Sequence, residues 1–329
     1  MKIVIADDYQ NCVRSLNCFS LLDGHQVSLC VEPAASEAEL IERFAGADVL
    51  VVVRERVSIT ESLLAALPSL KMISLVGRHS KMIDFDACTR RGIPVAHGLA
   101  SSPVAPAELT LALMLAARRN VVFEAARMKG GLFPVTLSHR LAGSTLGIFG
   151  LGVIGEIVAR SASALGMNIL VWGREASLAR ARSLGYQVAE SKQALFSESD
   201  IVSLHVRYSK DTRAIVQRAD LDRMKPTALF INTARAELVE SGALEAALTA
   251  GRPGFAAVDV YEHEPVMHGD HPLLKMDNVI CLPHLGWADR DTFELYFGEA
   301  FEQVRLFASN QALRLANPDV LARSALKQS

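Results

Sequence analysis

Leu146-Gly147-Ile148-Phe149-Gly150-Leu151-Gly152-Val153-Ile154-Gly155-Glu156-Ile157-Val158-Ala159-Arg160 is the stretch that decides the fold. A short apolar run with the character of a buried strand leads into glycines at GxGxxG spacing. A segment with no breaker before Gly166 leads out as a helix. In a strand-turn-helix unit each glycine has a task. Gly150 permits the tight turn, Gly152 lets a pyrophosphate approach the backbone, and Gly155 lets helix and strand pack closely. Leu151, Val153 and Ile154 complete a loop whose phosphates would lie over the helix amino end, where free N–H groups and the positive end of the dipole favour anions. GxGxxG also recurs by chance, and a tight turn that binds nothing is the plain alternative. A strand before it and a helix after it favour a dinucleotide site.

Working outward, β and α elements alternate in two series. Residues 2–6 and 26–31 read as strands, and 36–45 as a helix opened by a Ser36-x-x-Glu39 capping box. Strands follow at 49–53, 72–76 and 93–96, with helical segments at 60–67 and 85–91. Apolar runs this short, separated by helices, imply parallel sheets covered on both faces. One long helix is expected from 105 to about 128, stopped by Gly130, Gly131 and Pro134. The second series places strands at 146–149, 169–172, 201–205, 229–232, 256–260 and 279–282. A last long helix runs from 289 to about 309. The expected class is α/β, with two doubly wound parallel-sheet domains. Residues 1–100 and 290–329 form one, and residues 101–289 form a Rossmann nucleotide-binding domain inserted into it.

Composition agrees with a globular chain. Its 329 residues exceed the usual single domain, and half are hydrophobic, so a large core is available. A net charge of −2 sets up no field that would recruit nucleic acid or an anionic membrane surface. The five cysteines are odd in number, lack CxxC spacing and read as reduced core residues. No bound metal is expected. The amino terminus turns acidic at Asp7 and Asp8, too soon for a signal peptide, and the apolar run 109–117 is too short to span a bilayer. These features point to a cytoplasmic protein.

The end of the strand at 169–172 bears on which nicotinamide cofactor is used. An acidic residue there would bind both ribose hydroxyls of NAD. The chain has Gly173-Arg174 instead, with no carboxylate to repel a 2′-phosphate and a guanidinium able to pair with it. NADP(H) is therefore favoured over NAD(H), with Glu175 moderating the preference and a solvated Arg174 as the alternative. Further on, Arg235, Glu264 and His284 each fall just past a strand end. A guanidinium, a carboxylate and an imidazole converging near a nicotinamide can bind an anion and move a proton, as hydride transfer requires. Singly, His284 could be a satisfied core histidine, Arg235 a helix-flanking charge and Glu264 one acid in a polar loop.

At this point several ordered motifs carry a family resemblance. Gly-Leu-Gly-x-Ile-Gly at 150–155, Ser203-Leu204-His205-Val206, Asn232-Thr233-Ala234-Arg235-Ala236, Ala257-Val258-Asp259-Val260-Tyr261-Glu262-His263-Glu264-Pro265 and Leu282-Pro283-His284-Leu285-Gly286 resemble the D-isomer-specific 2-hydroxyacid dehydrogenases. The similarity covers nearly the whole chain, including Ile83-Asp84 and Ala107-Glu108. It implies a flavodoxin-like substrate domain around the Rossmann domain, and interconversion of a 2-oxo acid and a D-2-hydroxy acid. It also implies a homodimer in which the helix from about 105 packs on a second subunit. His284 matches the proton donor and acceptor, Glu264 its carboxylate partner, and Arg235 the cation that grips the substrate carboxylate.

Within the same resemblance, Asp259 matches the ligand of the nicotinamide carboxamide. Ala234 lies beside the ring, and Thr233 and His205 line it. Gly77, Arg78, His79 and Ser80 would supply carboxylate-binding backbone amides. That segment departs from the family, being poorer in glycine and followed by Lys81-Met82 where Asp-Asn is usual. The extra cations fit either a larger, more acidic 2-oxo acid or a solvated surface. Arg207 replaces a common proline near the expected adenine, where it could stack on that ring or pair with a 2′-phosphate. Trp287 is expected to wall the substrate pocket or to serve as plain packing. Two other readings keep the fold and change the chemistry: a non-catalytic, corepressor-like dinucleotide sensor, and a formate- or phosphite-type dehydrogenase.

Overall fold

Val49–Val53 and Met72–Val76 are buried along their whole length, the condition of strands in the middle of a parallel sheet covered on both faces. The computed structural model describes residues 1–53, 56–78 and 80–322. The chain divides into two units, one of residues 1–101 with the segment from Asp289 onward, the other of Ser102–Ala288. No helix among the described residues is long and apolar enough to cross a membrane.

The first unit carries strands β1 (Lys2–Ile5), β2 (Gln26–Leu29), β3 (Val49–Val53), β4 (Met72–Val76) and β5 (Val95–His97), all parallel in the order β2-β1-β3-β4-β5. This is the flavodoxin-like doubly wound order. Helices α1 (Glu37–Phe44), α2 (Glu61–Ala65) and α3 (Phe85–Arg91) connect the strands. Ser36 caps α1 by accepting from Glu39 N–H at 3.3 Å, while the Glu39 carboxylate reaches back to Ala35 N–H at 2.7 Å. Asp84 caps α3, which stops at left-handed Gly92. The final helix, Arg290–Ala308, buries Phe293, Phe297 and Phe301 at a spacing of four, one helical stripe. The Ser74 hydroxyl of β4 donates to the Ala300 carbonyl of that helix at 2.8 Å.

The second unit opens with α4 (Val104–Arg118) and α5 (Val121–Lys129). The continuous helix expected from 105 to about 128 is thus two helices. Asn120 lies between them at φ +54°, a left-handed conformation that asparagine tolerates and a helix does not. Then come β6 (Thr145–Phe149), α6 (Val153–Ala164), β7 (Asn168–Trp172), α7 (Glu175–Ser183), β8 (Gln187–Val188), α8 (Lys192–Glu198), β9 (Ile201–Leu204), α9 (Arg218–Leu221), β10 (Leu229–Asn232), α10 (Ala243–Thr249), β11 (Phe255–Val258) and β12 (Val279–Cys281). All seven strands are parallel, in the order β12-β11-β10-β9-β6-β7-β8. This is the Rossmann arrangement with an added edge strand, and its order reverses between β9 and β6.

Alternate residues feed two cores. Leu146 and Ile148 of β6 and Leu229 and Ile231 of β10 face the side covered by Leu113 and Met114 of α4 and Val158 and Ala162 of α6. Phe149 and Phe230 face the side covered by Phe196 of α8 and Leu244 and Leu248 of α10. All five cysteines are free, but only Cys88 is fully buried, and the other four are half-buried rather than core residues. Phe230 lies in the middle of β10 with no exposed surface, and the packed side chains around it leave little room to collapse. Phe230→Ala should cost about 3–5 kcal/mol of unfolding free energy, measured by denaturant titration of the second unit's signal.

Candidate active site

One row of residues crosses the seven-stranded sheet near its carboxyl edge. Trp172, Phe149, Leu204, Asn232, Val258 and Cys281 are successive register partners on β7, β6, β9, β10, β11 and β12. The residues that follow them are Gly173, Gly150, His205, Thr233, Asp259 and Leu282. Because the strands are parallel, every sequence-selected residue of this unit emerges along one edge.

The glycine turn joins β6 to α6. Gly150 has φ +95°, and a Cβ there would lie 2.9 Å from the His205 carbonyl oxygen. A Cβ on Gly155 would lie 2.5 Å from the Gly150 carbonyl oxygen, so strand and helix meet too closely for any side chain. Gly152, the N-cap of α6, faces open space, and no side chain caps that helix. Two glycines closing the turn and a third leaving the uncapped helix end open form a cradle that fits a dinucleotide's phosphates.

On one side of the turn, Gly150 N–H donates to the Trp172 carbonyl at 2.8 Å. Arg174 is exposed as the N-cap of α7, and Glu175 pairs with Arg182 at 3.0 Å. On the other side, His205 N–H donates to the Phe149 carbonyl at 2.9 Å, and its ring Nε2 lies 3.0 Å from the Ser203 hydroxyl. Burial pushes the His205 imidazole down to about 4, so the ring is neutral near pH 7. Arg207 is exposed two residues on.

Past β10, the Asn232 side chain shapes the loop by donating to the Arg235 carbonyl at 2.9 Å and accepting from Ala234 N–H at 3.0 Å. Thr233 Oγ1 lies 2.8 Å from Thr110 Oγ1 of α4, and Arg235 is half-buried. Glu264 and His284 come together although twenty residues apart. The imidazole Nδ1 donates to Glu264 Oε2 at 2.5 Å, and Glu264 Oε1 accepts from Tyr261 N–H at 2.9 Å. Burial would raise the Glu264 carboxyl. The hydrogen bond and charge of His284, the Tyr261 N–H and the Arg235 charge outweigh it and hold the pKa below the usual carboxylate value. His284 has φ +55°, a conformation that costs a β-carbon residue free energy and persists only where its surroundings impose it.

Asp259 supplies that imposition. It is fully buried, and its two carboxylate oxygens accept from Leu285 N–H at 2.7 Å and Gly286 N–H at 2.8 Å, the residues directly after His284. Burial raises its pKa to about 6, with the two N–H groups and the His284 charge opposing the rise and the Glu264 charge adding to it. Trp287 is half-buried just beyond. In the first unit, Gly77 follows β4 at φ +103°, Arg78 is exposed, and Ser80 Oγ accepts from Met82 N–H at 3.1 Å. His79 lies outside the described residues. Sequence reading passed over Ser177, whose Oγ accepts from Leu151 N–H at 3.2 Å, Thr110, and Tyr261, whose hydroxyl donates to the Leu282 carbonyl at 3.0 Å, because their partners are distant in the chain or are backbone groups.

Comparison with known proteins places this geometry among relatives. The profile of the "D-isomer specific 2-hydroxyacid dehydrogenase, NAD binding domain" matches residues 111–286. The chain is 48% identical to the structure of a phosphoglycerate oxidoreductase from Vibrio cholerae, with a TM-score of 0.90, covering 94% of this chain and 99% of that one. It is 38% identical over 258 residues to the D-3-phosphoglycerate dehydrogenase of Methanocaldococcus jannaschii, 78% of this chain but 49% of that protein, so it spans about half the length of that relative. It is 32% identical to the glyoxylate reductase of Thermococcus litoralis, covering 91% of this chain and 93% of the reductase.

Proposed function

Because the chain belongs to the D-isomer-specific 2-hydroxyacid dehydrogenases, we propose that it interconverts a 2-oxo acid and a D-2-hydroxy acid by hydride exchange with a nicotinamide dinucleotide. The observation that carries this reading is the Glu264–His284 hydrogen bond of 2.5 Å, with the Arg235 charge bearing on the same carboxylate. A bound nicotinamide supplies the hydride donor and acceptor. Glu264 fixes the imidazole through Nδ1 and favours its charged form, which leaves Nε2 to give a proton to the keto oxygen in reduction and to take it back in oxidation. Arg235 grips the substrate carboxylate and polarises the neighbouring carbonyl, a task for a planar fork. The unit of residues 102–288 is the dinucleotide domain, and the unit built on the five-stranded sheet is the substrate domain.

The relatives' names support a 2-hydroxy or 2-oxo acid as substrate, and they favour neither a silent sensor nor a formate- or phosphite-type enzyme. Gly173 and the exposed Arg174 and Arg207 beside the glycine turn support NADP(H) as the preferred cofactor. A second copy of the chain is the proposed partner. After α5, in a stretch outside any helix or strand, Phe133, Val135 and Leu137 are 81%, 69% and 96% exposed. The Glu124 carboxylate braces this segment by accepting from the Val135 and Thr136 N–H groups at 3.3 and 3.0 Å. An apolar segment so exposed suits burial against a partner.

Assayed with glyoxylate, hydroxypyruvate, pyruvate, phosphohydroxypyruvate, phenylpyruvate and branched 2-oxo acids, the protein should form D-hydroxy acids. His284→Asn should lower kcat by at least about 100-fold while cofactor affinity holds. An L product, or an unchanged kcat, would refute this mechanism. NADPH should give the higher kcat/KM, and Arg174→Ala combined with Arg207→Ala should weaken NADPH by roughly tenfold or more relative to NADH, the worth of a lost charged hydrogen bond. Equal discrimination in parent and variant counts against the NADP(H) assignment. In sedimentation velocity the protein should run as a dimer, and Phe133→Asp with Leu137→Asp should run as a monomer. A parent that is monomeric at micromolar concentration rules the dimer out.

A further inference from the structure

Three backbone segments converge beside the glycine turn: Gly150-Leu151 after β6, Gly173 after β7, and the first turn of α7 at Ser177. A Cβ built on Gly173 lies 3.2 Å from both Cβ and Oγ of Ser177 and 3.5 Å from the Gly150 Cα. Contacts near 3.2 Å oblige a neighbour to move by a few tenths of an ångström. Ser177 is poorly free to do so. Its hydroxyl accepts from Leu151 N–H at 3.2 Å, and its own N–H donates to the Arg174 carbonyl at 2.8 Å, so the residue is tied at once to the glycine turn and to the α7 cap.

From this contact we propose that Ser177 is a second determinant of cofactor preference, a positioning residue that keeps an acidic side chain out of position 173. Gly173 removes the carboxylate that would bind ribose hydroxyls, and Ser177 makes the loss hard to reverse. A side chain at 173 displaces Ser177, and Ser177 in turn releases the Leu151 N–H and disturbs the turn expected to hold the pyrophosphate. The inference rests on reading that turn as the dinucleotide cradle. It adds that the ribose end and the pyrophosphate end of the site are mechanically coupled through one hydroxyl.

A cycle of four full-length proteins tests it: the parent, Gly173→Asp, Ser177→Gly, and both together. Dissociation constants for NADH and NADPH would be read from nucleotide fluorescence, alongside Tm. Gly173→Asp alone should lower Tm and leave NADH no tighter than in the parent. The double variant should recover Tm and bind NADH about tenfold more tightly than Gly173→Asp, as one charged hydrogen bond to a ribose hydroxyl permits. Ser177→Gly alone should weaken both cofactors equally, leaving their ratio within twofold. A purely structural role for Ser177 would change Tm in the double variant without tightening NADH beyond Gly173→Asp. If Gly173→Asp alone gains NADH affinity as fully as the double variant, or if the double variant gains none, the proposal is overturned. Should Gly173→Asp not fold, Gly173→Ala carries the steric part. It should weaken both cofactors in the parent and weaken them no further in the Ser177→Gly background; an equal loss in both backgrounds overturns the coupling. A parent that prefers NADH would refute the NADP(H) reading and leave this cycle intact, because coupling is a difference between differences.

Discussion

The register of the seven parallel strands is the constraint on which the candidate site depends. Parallel pairing fixes which residues of neighbouring strands are level, and a sheet buried on both faces cannot slip by one residue without turning its whole apolar set around. With Phe230 and Ile231 committed to opposite cores, Asn232 must end β10 level with Leu204 and Val258. The loops that follow then rise from one edge, with the order reversal between β9 and β6 beside the glycine turn. No loop residue selects its own place. Packing several residues earlier does so, and for this reason core substitutions far from the chemistry can disturb it.

Along that edge, charge is arranged to compensate its own burial. Glu264 is held ionised by an imidazole, a backbone N–H and a guanidinium acting together, although burial alone would push it the other way. Asp259 is buried more deeply and has only two backbone N–H groups in direct contact, so desolvation wins and its proton is held more tightly. The two carboxylates therefore divide the labour. One faces the imidazole ring, and the other holds the backbone immediately beyond it, in the strained conformation that His284 needs to reach its partner.

Much of the fold was legible because its signals are local. The Gly150, Gly152 and Gly155 spacing belongs to a turn that only glycine can make, and short apolar runs separated by capped helices already imply parallel sheets. The break at Asn120 was not legible, since apolar periodicity continues on both sides of it and one left-handed residue leaves no composition signal. Strand ends at 201–205 and 256–260 ran one or two residues too far, because apolar character persists past the last ladder bond. At the candidate site, the sequence placed Glu264 and His284 beyond separate strands. Their hydrogen bond spans two loops, and no spacing rule specifies it. The anchoring of Leu285 and Gly286 by Asp259 and of Leu151 by Ser177 was hidden for the same reason, since a backbone N–H leaves no mark in a sequence.

Two buried groups give the second unit an unusual proton balance. His205 has a folded pKa near 4 against 6.5 in an open chain, so its contribution is present above pH 6.5 and is lost as pH falls toward 4. Asp259 runs the other way, near 6 against 3.8, so its contribution is present below 3.8 and is lost as pH rises through 6. Between these limits the folded unit lacks one proton at the imidazole and holds one extra at the carboxyl. The two linkages therefore oppose each other. Buried ionisable groups usually make stability swing with pH, and in this pair the two swings run in opposite directions across the mildly acidic range.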